Sequence, residues 1–238
     1  MALSTAPIAA NLAAVRERIA RAAERAGRTE REVTLVAVSK THPPERVREA
    51  FAASQLAFGE NKVQEAEAKV GALQDLRAAG LRWHLVGHLQ SNKARKAVPL
   101  FDLVHSVDGA DLGRKLAVIS AETGRVLEAL VQVDLANEAT KHGVAEAELL
   151  PVLEALRALP SLALRGLMIL PPFSEDPAVN RPYFRKLREL RDRASAQGLL
   201  AGGELSMGMS HDFEVAIEEG ATIVRVGTAI FGERPRLP

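Results

Sequence analysis

Lys40 is the residue whose position most invites chemistry. It closes the run Val-Thr-Leu-Val-Ala-Val-Ser-Lys at residues 33–40, which is almost wholly apolar before Ser39. An ammonium there is costly unless it is paired, deprotonated or used covalently, because a low-dielectric setting disfavours the charged form. Desolvation also lowers a lysine pKa and frees the amine to attack aldehydes. The plainer reading is a strand-end lysine that snorkels into solvent. A second group lies toward the C-terminus. Ser206, Gly208 and Ser210 form a small-residue loop ahead of an expected helix at 211–219, which Ser210 can cap and Gly220 ends. Free backbone N–H groups and hydroxyls at such a helix start suit a phosphate, and Gly227-Thr228 offers a second approach of backbone amides. Each loop taken alone is also an ordinary tight turn, since serine and glycine are usual turn residues. Arg225 stands in Ile-Val-Arg-Val-Gly, where a charge needs a partner; a structural salt bridge is its plain reading. Asn61 and His88 can equally be satisfied loop polar groups.

Other chemistries find less support. The chain has no cysteine, which rules out disulfides, Cys-ligated zinc and a thiol nucleophile and fits a reducing compartment. Its six histidines show no His-Glu-x-x-His or comparable ligand spacing, so no metal ligand is expected. No Gly-x-Ser-x-Gly elbow and no Gly-x-x-x-x-Gly-Lys-Ser/Thr loop is present. Lysine plus arginine (31) nearly balances aspartate plus glutamate (30), which leaves no charge excess for broad binding of nucleic acid or anionic membrane. The basic cluster Lys93, Arg95 and Lys96 reads as solvated helix surface rather than an RNA site. No apolar stretch reaches the roughly 18 residues of a membrane span.

The elements that must position these residues repeat along the chain. Eight short apolar runs, at 33–39, 56–59, 83–86, 103–106, 127–134, 164–170, 204–207 and 223–226, are separated by segments rich in Ala, Leu, Glu and Arg at 43–53, 61–79, 109–122, 145–159 and 182–197. That alternation predicts a parallel α/β sheet, and the continuous apolar first run is what a strand covered on both faces requires. Eight such units favour a closed barrel over a doubly wound sheet, and no Gly-x-Gly-x-x-Gly follows the first run. A chain of 238 residues without linker or low-complexity tract is expected to form one domain, 1–238. Ile8, Leu12, Val15 and Ile19 recur at helical spacing with arginines between them, so an amphipathic helix is expected at about 8–26 in place of a signal peptide. Residues that follow the apolar runs would then converge on one mouth of the barrel.

At these positions the chain closely resembles the pyridoxal phosphate homeostasis protein family, whose barrel is similar to the N-terminal domain of alanine racemase. The matching stretches are Val-Ala-Val-Ser-Lys40, Phe-Gly-Glu-Asn61-Lys-Val-Gln-Glu, Trp-His-Leu-Val-Gly-His88-Leu-Gln-Ser-Asn-Lys93, Gly-Leu-Met168, Leu-Ser206-Met-Gly-Met-Ser210-His-Asp-Phe and Val-Arg225-Val-Gly-Thr228-Ala-Ile-Phe-Gly. They span nearly the whole chain in order. The resemblance implies a (β/α)8 TIM barrel of the fold type III class and binding of pyridoxal 5′-phosphate as a Schiff base on Lys40. It implies that Ser206, Ser210, Gly227 and Thr228 hold the phosphate, that Arg225 faces the pyridine nitrogen, and that Asn61 and Met207 line the cofactor's surroundings.

It further implies a cytoplasmic, non-enzymic role in cofactor supply, with effects on amino-acid and keto-acid balance, PLP-requiring apoenzymes as partners and a monomeric state. A racemase or decarboxylase on the same fold is the alternative, and a protein-interaction module that merely carries the cofactor is a third. Arginine is donor-only and stays protonated, so it weakens the ring as an electron sink; racemases of the related fold share that arginine, so this limits the chemistry without excluding it. Those racemases add a C-terminal β-domain and a tyrosine base; here Pro238 follows soon after the eighth run, so no β-domain is expected, and the single tyrosine, Tyr183, is not expected at a strand end.

Overall fold

The computed structural model describes residues 7–136 and 142–233. The ends of the expected 1–238 domain therefore lie outside the described residues. Among the described residues nine strands form: β1 (Thr34–Val38), β2 (Ala57–Glu60), β3 (Arg82–Leu85), β4 (Leu103–Val107), β5 (Leu127–Asp134), the two-residue β6 (Val144–Ala145), β7 (Leu162–Met168), β8 (Glu204–Met209) and β9 (Ile223–Val226). All pairings are parallel. The order β4-β3-β2-β1-β9-β8-β7-β5 closes through β4 on β5 into an eight-stranded barrel, with β6 an appendage on β5. The expected sixth run shifts from 164–170 to Leu162–Met168, because Leu127 pairs with Leu162 and starts that ladder two residues early.

Alternate residues of each strand enter two separate apolar layers, as the pleat requires. Val36, Val38, Leu103, Leu130, Met168 and Ile223 fill the barrel, whereas Leu35, Ala37, Val104, Ala129, Leu205, Met207, Val224 and Val226 face the helices. The N-terminal helix Ile8–Arg25 buries Ile8, Leu12, Val15 and Ile19 against the outer layer, as its spacing predicts. Asn11 Nδ2 donates to the Ile230 carbonyl at 2.9 Å and Arg18 pairs with Glu214 at 2.9 Å, fastening the helix over the β8–β9 side.

Three local expectations need correction. The helix expected at 61–79 divides into Val63–Ala72 and Gln74–Ala78, because Leu73 leaves helical geometry (φ −124°, ψ 29°) and is fully buried. A further helix, Ala94–Leu100, carries Arg95 and Lys96 of the basic cluster, and its Pro99 kept it out of the repeating pattern of segments. The helix expected from 211 begins at Phe213, with Asp212 in the cap position, so Ser210 does not cap it.

Candidate functional site

Lys40 is the second residue beyond β1, half-buried at the C-terminal mouth of the barrel. The next residue, Thr41, has φ +67°, a left-handed conformation that a β-branched residue adopts only when its surroundings enforce it. The enforcing groups are visible. The buried Lys69 ammonium donates to the Ser39 carbonyl at 2.6 Å, to Glu60 Oε1 at 2.7 Å and to Glu65 Oε1 at 2.9 Å. Glu65 Oε1 in turn accepts the Thr41 backbone N–H, and Ser39 Oγ donates to Glu60 Oε1 at 2.6 Å. Lys40 is thus bracketed on both sides by one ionic clamp. Burial pushes the Glu60 carboxyl up from its ordinary range, against the pull of Lys69. Sequence assigned no role to Glu65 or Lys69 and marked Glu60 only as a residue closing the second run; the i,i+4 spacing of Glu65 and Lys69 was the available signal.

On the other side of β1 lies β9, in register with Val36 beside Arg225 and Ala37 beside Val226. Arg225 points into the barrel and is only 3% exposed. Its guanidinium donates to Ser206 Oγ and, at 2.8 Å, to the Ile169 carbonyl. Among the described residues no carboxylate lies within 4.0 Å of it, so the structural salt bridge is absent. Desolvation lowers its pKa to about 10, with Asp212 opposing. Two of the five guanidinium N–H groups are thereby matched to protein acceptors among the described residues. Behind Ser206 the polar contacts continue, from Ser206 Oγ to His105 Nδ1 at 2.8 Å and from His105 Nε2 to His84 Nδ1 at 3.0 Å.

The two small-residue loops meet. Ser210 Oγ accepts the Gly227 N–H at 3.2 Å. Gly227 runs so close to β1 that an added Cβ would stand 3.1 Å from the Val38 carbonyl oxygen, and Gly208 (φ +90°) lies directly on Phe213, 2.8 Å from its Cα by the same construction. Asp212 organises this loop: its carboxylate accepts the Met209 N–H at 2.7 Å and the Asn180 side-chain amide at 2.8 Å. The backbone N–H groups of Ser210 and Thr228 have no hydrogen-bond acceptor among the described residues. Gly227 follows directly on the end of β9, two residues after Arg225. The result is an amine, a pair of amide donors beside hydroxyls, and a buried cation on the strand that leads into them.

The remaining expected residues divide. Asn61 follows β2, the other neighbour of β1, and an added Cβ on Gly87 would come within 2.7 Å of its Cα, so the loops after β2 and β3 touch at the mouth. The Met207 side chain is fully buried in the outer layer that also holds Phe213 and Ile217. Residues alternate along β8, so with Ser206 inside the barrel Met207 must face the helices.

The model of the alanine racemase N-terminal domain matches residues 10–235 of this chain. A pyridoxal phosphate homeostasis protein of Aquifex aeolicus is 47% identical over 223 residues, covering 94% of this chain and 96% of that one. Among solved structures, PipY of Synechococcus elongatus with PLP bound superimposes with a TM-score of 0.84 at 42% identity, covering 94% of this chain and all of that one. Alanine racemase of Corynebacterium glutamicum aligns with a TM-score of 0.70 at 20% identity, over 95% of this chain and 64% of that one, a likeness of fold alone.

Proposed function

The chain belongs to the family of alanine racemase N-terminal domains and, within it, to the pyridoxal phosphate homeostasis proteins, and from that premise we propose how its own residues bind and release pyridoxal 5′-phosphate. The protein acts in PLP homeostasis, as a carrier or buffer of the cofactor. The observation that carries the site assignment is Arg225, a buried guanidinium with no carboxylate partner among the described residues, on the strand that leads directly into the Ser210–Gly227 contact. These residues fit the group. Bound there, pyridoxal 5′-phosphate supplies an aldehyde that condenses reversibly with an amine.

Lys40 supplies that amine, held by its clamped neighbours Ser39 and Thr41. The N–H groups of Ser210 and Thr228, with the two hydroxyls, hold the phosphate, and the Gly227 backbone shapes their approach. Arg225 donates toward the ring nitrogen and Ser206 fixes the guanidinium, not the phosphate as the resemblance implied, because its hydroxyl is taken up by Arg225 and His105. Asn61 closes the side next to β2.

The reading assigns no turnover reaction. Tyr183 lies on the helix Arg181–Ala196 and packs against the outer apolar layer, which gives no support to a tyrosine base. PLP-requiring apoenzymes are the proposed recipients, the monomer the proposed working form and the cytoplasm the proposed compartment. No helix among the described residues is long and apolar enough to cross a membrane.

The test is spectroscopic and chemical. The purified protein is expected to be yellow, Lys40→Ala to lose the visible band, and borohydride to fix the adduct on Lys40. An adduct on another lysine would overturn the site. Steady exchange of an amino acid's α-hydrogen in deuterated water would instead favour the racemase class.

A further inference from the structure

His88, Asp108 and His142 are far apart in sequence and follow three consecutive barrel strands, β3, β4 and β5. The structure brings one ligand atom of each to within 4.8 Å of the others. His88 Nδ1 lies 3.2 Å from Asp108 Oδ2, and His142 Nδ1 lies 4.0 Å from the same oxygen. The described residues beside them are fastened. Ser106 Oγ donates to the Gly87 carbonyl at 2.7 Å, tying the β3 loop to the end of β4. Gln132 on β5 donates to the His142 carbonyl. Gly143, with φ +149°, lies so close to β5 that an added Cβ would stand 2.8 Å from the Asp134 nitrogen. Neither imidazole is assigned to the site at Lys40 and Arg225, and the three residues follow strands that stand two to four places from β8 and β9 around the barrel.

We propose that His88, Asp108 and His142 bind one divalent transition-metal ion, with its remaining coordination positions open to water or to a small oxygen- or nitrogen-bearing ligand. Two imidazoles and one carboxylate form a donor set suited to zinc, iron, nickel or copper, and not to calcium or magnesium, which prefer all-oxygen sets. A cavity of about 530 Å³, lined by His88, Asp108, Asp111 and Arg114 among others, adjoins the group and leaves room for the open positions. The two rings are stacked at 3.5 Å and nearly parallel, 9° apart, so their lone pairs do not yet converge. Both imidazoles are exposed, His142 the more so (55% of its side chain against 35% for His88), so the His142 ring is the freer one to turn and complete the site. The ion then joins three neighbouring loops of the rim.

Zinc chloride titrated calorimetrically into the full-length, tag-free protein tests this. The expected result is one ion per chain, with affinity falling about tenfold or more in His142→Ala and in Asp108→Asn, by the scale of lost metal contacts. The visible PLP band of His142→Ala should be unchanged, which separates this site from the one built on Lys40. Both variants are checked for an unaltered circular-dichroism spectrum, and exposed His142 is the variant that decides if Asp108→Asn unfolds. Less than one ion per chain, or undiminished binding by folded His142→Ala, would overturn the proposal.

Discussion

The barrel interior is not purely apolar: His84 and His105 lie in it, bonded ring to ring at 3.0 Å and onward to Ser206. Burial lowers the His84 pKa from 6.5 to about 4, with Asp102 opposing and Arg82 assisting, and pushes His105 well below its usual value. The fold therefore holds both rings neutral, whereas the unfolded chain takes up protons near pH 6.5. A depressed folded pKa contributes stability that is present above pH 6.5 and is lost as pH falls toward 4. For His84 the shift corresponds to about 3 kcal/mol across that window. Urea denaturation at a series of pH values is expected to show His84→Gln losing less stability than the parent between pH 6.5 and 4; parallel curves would refute the assignment. Sequence placed His84 in an apolar run but carried no sign of its partner, because His105 meets it from the next strand, β4, and Ser206 meets His105 from β8, 21 and 101 positions further along.

At the scale of elements, the turn after β1 depends on the helix Val63–Ala72, which carries both Glu65 and Lys69 beneath it. Lys69→Met leaves Glu60 buried without its cation, and removing one partner of a buried pair costs about 3–5 kcal/mol. Adding Glu60→Gln removes the stranded charge. The double variant is expected to recover more than half of that loss in chemical denaturation, and strictly additive losses would show that the pair does not act as a unit. Strand starts and types were legible because apolar runs report two-sided burial directly. Boundaries were less so. Leu73 broke a helix whose composition was uniformly favourable, Pro99 kept out of the repeating pattern one that tertiary packing of Ala94, Ala97 and Val98 sustains, and Ser210 turned to Gly227 where a local cap had been expected.

For the whole molecule, cofactor binding and folding are linked, since a ligand that binds only the folded barrel stabilises it by an amount set by its excess over Kd. A hundredfold excess of pyridoxal 5′-phosphate should add about 2.7 kcal/mol. That is roughly 5–10 °C in Tm for a chain of this size. Differential scanning fluorimetry on parent and Lys40→Ala checks this: an equal rise in both would dissociate the lysine from binding. The sequence by itself determined the eight-strand α/β alternation, the amphipathic N-terminal helix and the cluster of functional residue types just past strand ends, since each is written in local periodicity and composition. It also carried the family resemblance. Tertiary structure alone decided that Arg225 has no carboxylate partner among the described residues, that Met207 faces away from the mouth, that Lys69 clamps the Lys40 turn and that His88, Asp108 and His142 meet. Those outcomes depend on strand register and on closure of β4 against β5 and of β1 against β9. Such contacts join residues separated by tens to nearly two hundred positions, and no local pattern encodes which of them will face each other.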